Sequence, residues 1–274
     1  MKQQKVLSQI TVFVAVVALL ILSCSGTAGI PGLFATETAT PTNTLTPSPT
    51  LTPSPTATAT ATLTPSPTPL PTGVKLEEQS DGATLFIDYD NNYQLMLPKD
   101  WMVIPLSSED VASILGELSE KNPAFKEVAE TFKSLDSDVI RAIAMNTDPK
   151  YTAQGFSTNI TVTALDDKLT SSMPLDFVTG AMEESLRQQG SKVLSDGSVA
   201  TKNPNGVEIG TFDYEKSTPT ATGANALVRA KAIIFQTNGK LILIQLATPK
   251  QFALELLSVM DDVSSSIRLL DFGL

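Results

Sequence analysis

Apolar and polar positions first fall into a regular rhythm near Val74, and from there the pattern predicts alternating strands and helices to the end of the chain. Ala83 to Tyr89 and Tyr93 to Leu97 alternate as strands around Asp90-Asn91-Asn92, a turn whose Asx side chains tolerate left-handed backbone. Pro98-Lys99-Asp100 then closes the second strand before Trp101. Val111, Ile114, Leu115 and Leu118 recur at helical spacing after Ser107, and Phe125, Val128, Phe132 and Leu135 do so after Asn122-Pro123, which predicts an inserted pair of helices. Val139 to Met145 and Asn159 to Ala164 read as strands. Pro174 opens a helix whose Phe177, Val178, Ala181, Met182, Ser185 and Leu186 form one stripe, and Gly190 stops it.

The second half holds the clearest hairpin. Short strands around Val193 and from Val207 to Tyr214 flank the turn Asn203-Pro204-Asn205-Gly206. Leu227 to Gln236 and Lys240 to Ala247 follow, joined by Asn238-Gly239, the pair that a type I′ turn requires because both central residues need positive φ. A helix after Thr248-Pro249 buries Phe252, Leu256, Val259, Met260 and Val263, and Ile267 to Leu270 adds a terminal strand. Hairpins with inserted helices predict an α+β domain in which an antiparallel sheet is covered on both faces.

Upstream of Val74 the pattern changes twice. Lys2 and Lys5 precede an apolar run from Ile10 to Leu22 that ends in Ile21-Leu22-Ser23-Cys24, which carries the only cysteine of the chain. The run offers roughly 13 to 17 apolar residues where a spanning helix needs about 20, so residues 1–24 read as an export signal. The tetrad resembles a bacterial lipobox, which implies a diacylglyceryl group on Cys24 and a location on the extracytoplasmic face of the cell membrane. An uncleaved signal anchor and ordinary cleavage near Gly26-Thr27-Ala28 are the alternatives. Residues 25–73 form a linker. From Thr36 to Thr72 Thr, Pro, Ser and Ala dominate, and Leu-Thr-Pro-Ser-Pro-Thr recurs at Leu45, Leu51 and Leu63. Prolines at that density favour polyproline II and leave nothing to form a core. At about 3.1 Å per residue the stalk reaches on the order of 110 Å.

Composition narrows the chemistry. Of 274 residues none is histidine, and the formal net charge is −10. That excludes a Ser-His-Asp triad and a histidine zinc site, and the acidic balance argues against a nucleic-acid partner. One cysteine permits no intramolecular disulfide, so the 74–274 domain depends on packing alone. Asp88, Asp90 and Asn92 place oxygens at alternate positions in a turn, the start of a calcium loop. The loop is incomplete, because Tyr93 stands where an EF-hand has glycine and Lys99 where it has an acid. Trp101, Tyr89 and Tyr93 are either groove-lining or core. The adjacent pairs Asp166-Asp167, Glu183-Glu184 and Asp261-Asp262 are the available carboxylates for acid-base work, and neighbours on a helix do not face each other.

Taken in order, Tyr93-Gln-Leu-Met-Leu-Pro-Lys-Asp-Trp101, Phe156-Ser-Thr-Asn-Ile-Thr-Val162, the helix from Pro174 and the closing strands plus helix resemble the Mog1/PsbP-like domain family over 83–270. The resemblance implies an α/β/α sandwich whose central antiparallel sheet is covered by helices, with Tyr93 to Leu97 and the 227–247 hairpin in one sheet and Trp101 mostly buried. It also implies a binding or assembly module with no cofactor and no catalysis, of the kind found in the photosystem II extrinsic protein, a Ran-binding nuclear protein and bacterial lipoproteins. Specific partners do not carry over, since this chain has no histidine and adds a long stalk. The expected function is a lipid-anchored extracytoplasmic binding or assembly protein with a protein partner in the cell envelope. An extracellular carboxylate-dependent hydrolase and a structural surface component are the alternatives.

Overall fold

A computed structural model describes residues 71–106, 136, 138–153, 155–166, 170–195, 199–220 and 224–271. The export signal, the linker up to residue 70 and both helices expected within 107–135 lie outside the described residues.

The domain opens with β1 (Val74–Glu78), β2 (Thr84–Asp88), β3 (Tyr93–Leu97) and β4 (Trp101–Pro105). It continues with β5 (Ile140–Asn146), the two-residue strands β6 (Thr152–Ala153) and β7 (Phe156–Ser157), and β8 (Asn159–Leu165). Helix α1 (Leu175–Gln188) leads to the short β9 (Lys192–Val193) and β10 (Thr201–Lys202), then to the long β11 (Glu208–Pro219), β12 (Asn225–Thr237) and β13 (Lys240–Pro249). The chain closes with α2 (Ala253–Leu256), α3 (Val259–Ser266) and β14 (Arg268–Leu269).

Every strand pair among the described residues is antiparallel. β10-β11-β12-β13-β8-β5-β4, with β9 on β11, form an eight-stranded sheet, and β1-β2-β3-β14 form a separate four-stranded one. The expected turn is present between β12 and β13, where Asn238 has φ 48° and Gly239 φ 69°.

The expected α/β/α sandwich is overturned. The described helices are three, of 14, 4 and 8 residues, and strands dominate the architecture. On one face of the large sheet Leu175, Val178, Met182 and Leu186 of α1 pack with Phe212, Tyr214, Ala230, Ile234 and Leu243. On the other lies the small sheet: Phe86, Tyr93, Leu95 and Leu97 meet Ala144, Ile160, Ile233, Ile242 and Ile244, joined by Met260 and Val263 of α3. Tyr93 to Leu97 therefore stands opposite the 227–247 hairpin, in another sheet, where one shared sheet was expected. Strand alternation marks which side chains share a face, but it does not say which strands pair. The single helix expected after Pro249 is a 3-10 turn followed by α2 and α3, broken at Leu257-Ser258, where Met260 and Asp261 N–H bond back three residues rather than four.

A bulge ties the sheets together. Ile140 pairs with Thr163 and Ala142 with Val162, so Arg141 is an extra residue in β5. The bulge turns Arg141 toward the small sheet, where it meets Asp88.

Candidate functional site

Where the end of β3 turns into β4, a cavity of about 680 Å³ opens between the small sheet and α3. Its apolar lining comes from Ala83, Met96, Leu97, Pro98 and Trp101 on one side and Val259 and Val263 on the other; Asp81, Lys99, Asp262, Ser265 and Ser266 supply the polar groups. Val259, Asp262, Val263 and Ser266 follow the i, i+3, i+4, i+7 spacing, so one face of α3 supplies the wall.

The frame is firmly held. Met96 N–H donates to Ser266 Oγ at 2.8 Å, and that hydroxyl donates to Val263 O at 2.6 Å. Asn203 Nδ2 donates to the carbonyls of Ser264 and Ile267, and Asn205 Nδ2 to those of Ser265 and Ile267, so the exposed carbonyls at the end of α3 are satisfied by side chains of the 203–206 turn. Across the cavity, Asp81 Oδ1 accepts from Ala83 N–H at 3.0 Å, and Gly82 takes φ 84° to close that turn. Lys99 follows the proline that ends β3, and Asp100 takes φ 63°, which swings the chain into Trp101.

Trp101 is partly buried and packs against the core between the two sheets, in keeping with the mostly buried indole that was expected. It begins β4, the last strand of the large sheet among the described residues, and it also lines the cavity. Tyr93 is fully buried against Phe86 and Phe235, with centroids 5.9 and 5.2 Å away. Tyr89 does not line the cavity.

Asp88 and Asp90, named from sequence as calcium ligands with Asn92, face a guanidinium. Arg141 Nε donates to Asp88 Oδ2 at 2.9 Å, and Nη2 reaches Asp88 Oδ1 at 3.1 Å and Asp90 Oδ2 at 2.6 Å. The Asp88 side chain is wholly buried and that of Arg141 is 4% exposed. Asn91 adds N–H and Nδ2 donors to Asp88 at 3.2 and 2.7 Å. Asn92 stands outside this network, at φ 57°, with its carbonyl accepting from Leu270 N–H. Burial opposes ionisation of Asp90, but the bonds from Gly73 N–H and Arg141 outweigh it and hold the carboxyl below its usual range. Burial likewise works against charge on Arg141, and Asp88 and Asp90 more than offset it, so the guanidinium stays charged. Burial, reinforced by the Asp88 carboxylate, pushes the Tyr93 phenol far up.

This cluster is a clamp. Asp90 Oδ1 accepts from Gly73 N–H at 2.8 Å while Gly73 O accepts from Tyr89 N–H, so the residue at the end of the linker is clipped to the β2-β3 turn. Thr237 Oγ1 donates to Asn91 O and Asn238 Nδ2 to Asp90 O, which brings the tip of the β12-β13 hairpin to the same point.

The adjacent carboxylate pairs separate in space. Glu183 is buried and accepts from Ser195 Oγ, while Glu184 is exposed beside Arg187. Asp261 pairs with Lys231 and Asp262 lines the cavity. Asp167 and Cys24 lie outside the described residues. The sequence singled out Trp101 as a groove candidate but read Val259 and Val263 as core, met Lys99 only as a turn residue that breaks a calcium loop, and passed over Asp81 and Ser265. The signal for the wall was the α3 spacing, in which a carboxylate and a serine share the face of two valines.

No family model matches the chain, and no curated protein matches it. Solved structures similar to it include cyanobacterial PsbP (CyanoP) from Synechocystis, at 12% identity and TM-score 0.37 over 72% of this chain and 92% of that one. LpqN of Mycobacterium tuberculosis, described as involved in cell envelope biogenesis, is 12% identical at TM-score 0.39, covering 72% and 91%. The Saccharomyces cerevisiae Ran-binding protein Mog1p is 11% identical at TM-score 0.37, covering 73% and 97%. PsbP and Mog1 are the proteins after which the family resembled by the sequence is named.

Proposed function

We propose that this protein is an extracytoplasmic binding module, held at the membrane by a lipid on Cys24 and displayed on the Thr/Pro-rich stalk, with a partner or ligand in the cell envelope and no catalytic step of its own. The observation that carries the reading is the cavity beside Trp101. Its volume falls in the range of small-molecule sites, about 300 to 1,000 Å³, and a mainly apolar lining with a few polar groups is the usual chemistry of such sites. Its carboxylates sit on separate elements at the rim, an arrangement suited to orienting a ligand. The sequence supports the address: a short apolar run after two lysines, a lipobox-like tetrad and a proline-rich spacer. Among the described residues no helix is long and apolar enough to cross a membrane.

Native mass spectrometry of the full chain purified from its own envelope tests the binding role. A bound mass lost in Ala83→Phe, which fills the cavity, supports it; identical spectra from both proteins refute the cavity as the site. Metabolic labelling with a palmitate analogue tests the address. Cys24→Ala should abolish the label and release the protein or leave an unprocessed precursor, and unchanged labelling would remove the anchor.

A further inference from the structure

We infer that the cavity takes a small organic cation, an ammonium group carried on an apolar body. The inference rests on the reading of the cavity as the binding site and adds the class of ligand. Three charged side chains line it, the carboxylates of Asp81 and Asp262 and the ammonium of Lys99, so the site carries one negative charge in excess. The carboxylates come from opposite walls, Asp81 from the β1-β2 turn and Asp262 from α3. The Asp81 carboxylate is held in place through Oδ1, which accepts from Ala83 N–H at 3.0 Å. Trp101 lines the same cavity, and an indole is the strongest aromatic partner for a cation. Met96, Leu97, Val259 and Val263 accommodate the apolar body. The net charge of −10 favours the approach of cations over anions at low salt. An anionic amphiphile would meet Lys99 but also two carboxylates, and a neutral one would gain no attraction from them.

Trp101 is the only tryptophan of the chain, so its emission reports on the cavity directly. The full chain is titrated with benzyltrimethylammonium, benzyl alcohol and phenylacetate, with thermal unfolding to confirm that each variant is folded. The expected result is a saturable change with benzyltrimethylammonium that weakens as salt is added, and binding of phenylacetate at least ~10-fold weaker, a difference of about 1.4 kcal/mol. Asp262→Asn should bind the cation about two- to fivefold more weakly, the effect of one exposed ion pair, and Ala83→Phe should abolish the response. Equal or tighter binding of phenylacetate or benzyl alcohol, blocked by Ala83→Phe, overturns the charge preference and leaves the cavity as a binding site. No saturable response to any of the three overturns both. A cation response unchanged in Asp262→Asn and insensitive to salt overturns the assignment of the carboxylates.

Discussion

Removing Asp88 should unfasten the two sheets from each other. Its carboxylate is fully buried and holds Arg141 through two bonds at 2.9 and 3.1 Å and Asn91 through two at 3.2 and 2.7 Å. In Asp88→Ala the guanidinium stays buried with its charge, and Asp90, 39% exposed, is a weaker counterion. Breaking a buried pair from one side costs about 3 to 5 kcal/mol, because the cost is that of the charge left behind. For a domain of roughly 200 residues each kcal/mol moves the melting temperature by about 2 to 4 °C, so the expected drop is about 6 to 20 °C. Urea unfolding of wild type, Asp88→Ala, Arg141→Met and the double variant Asp88→Ala/Arg141→Met gives a double-mutant cycle. Because the double variant leaves neither charge buried, it should recover most of the loss, with a coupling of about 2 kcal/mol or more. A single-variant cost below about 1 kcal/mol, or a double variant that loses the sum of both singles, would refute the clamp.

Two further predictions follow from the same packing. Asp90 carries a lowered pKa in the folded state, so its contribution is complete above the ordinary carboxylate value near 3.8 and fades as pH falls through the lower folded value. Asp90→Asn should flatten that part of the acid-unfolding curve, and an identical curve would show that Gly73 and Arg141 do not engage it. Gly210 lies beneath α1, where an added Cβ would press on the Thr179 hydroxyl and sit 3.1 Å from Ile234 Cγ1. That hydroxyl is fixed by its bond to Leu175 O at 2.7 Å, so Gly210→Ala should cost about 1 to 3 kcal/mol by overpacking, with partial relief in Gly210→Ala/Thr179→Ala measured by thermal melting.

Local chemistry was legible in the sequence and long-range pairing was not. Asn238-Gly239 forced a positive-φ turn, Tyr93, Leu95 and Leu97 declared an inward face by alternation, and Pro174 and Gly190 bounded α1, each through interactions within a few residues. Which strand lies beside which depends on contacts far apart in the chain, and alternation is the same whether two strands share a sheet or face each other across a core. The split between the two sheets was therefore hidden, as was the role of Arg141, which follows from one extra residue in β5 that no propensity marks. Asp88 and Asp90 advertised themselves as oxygen ligands because their partner stands 53 and 51 positions away. The cavity was half visible: Trp101 drew notice, whereas Asp81 and Lys99 look like ordinary turn residues until α3 is placed opposite them.

The central claim is that the cavity beside Trp101 is where this protein binds, and the single indole gives it a direct test. A 15N-labelled chain shows one indole N–H resonance, and the titrant is a small-molecule extract of the native envelope. The account predicts that this resonance shifts saturably, together with the amides of Met96 and Val263, and that none of the three moves in Ala83→Phe. An indole that stays fixed while resonances elsewhere on the domain move would contradict it.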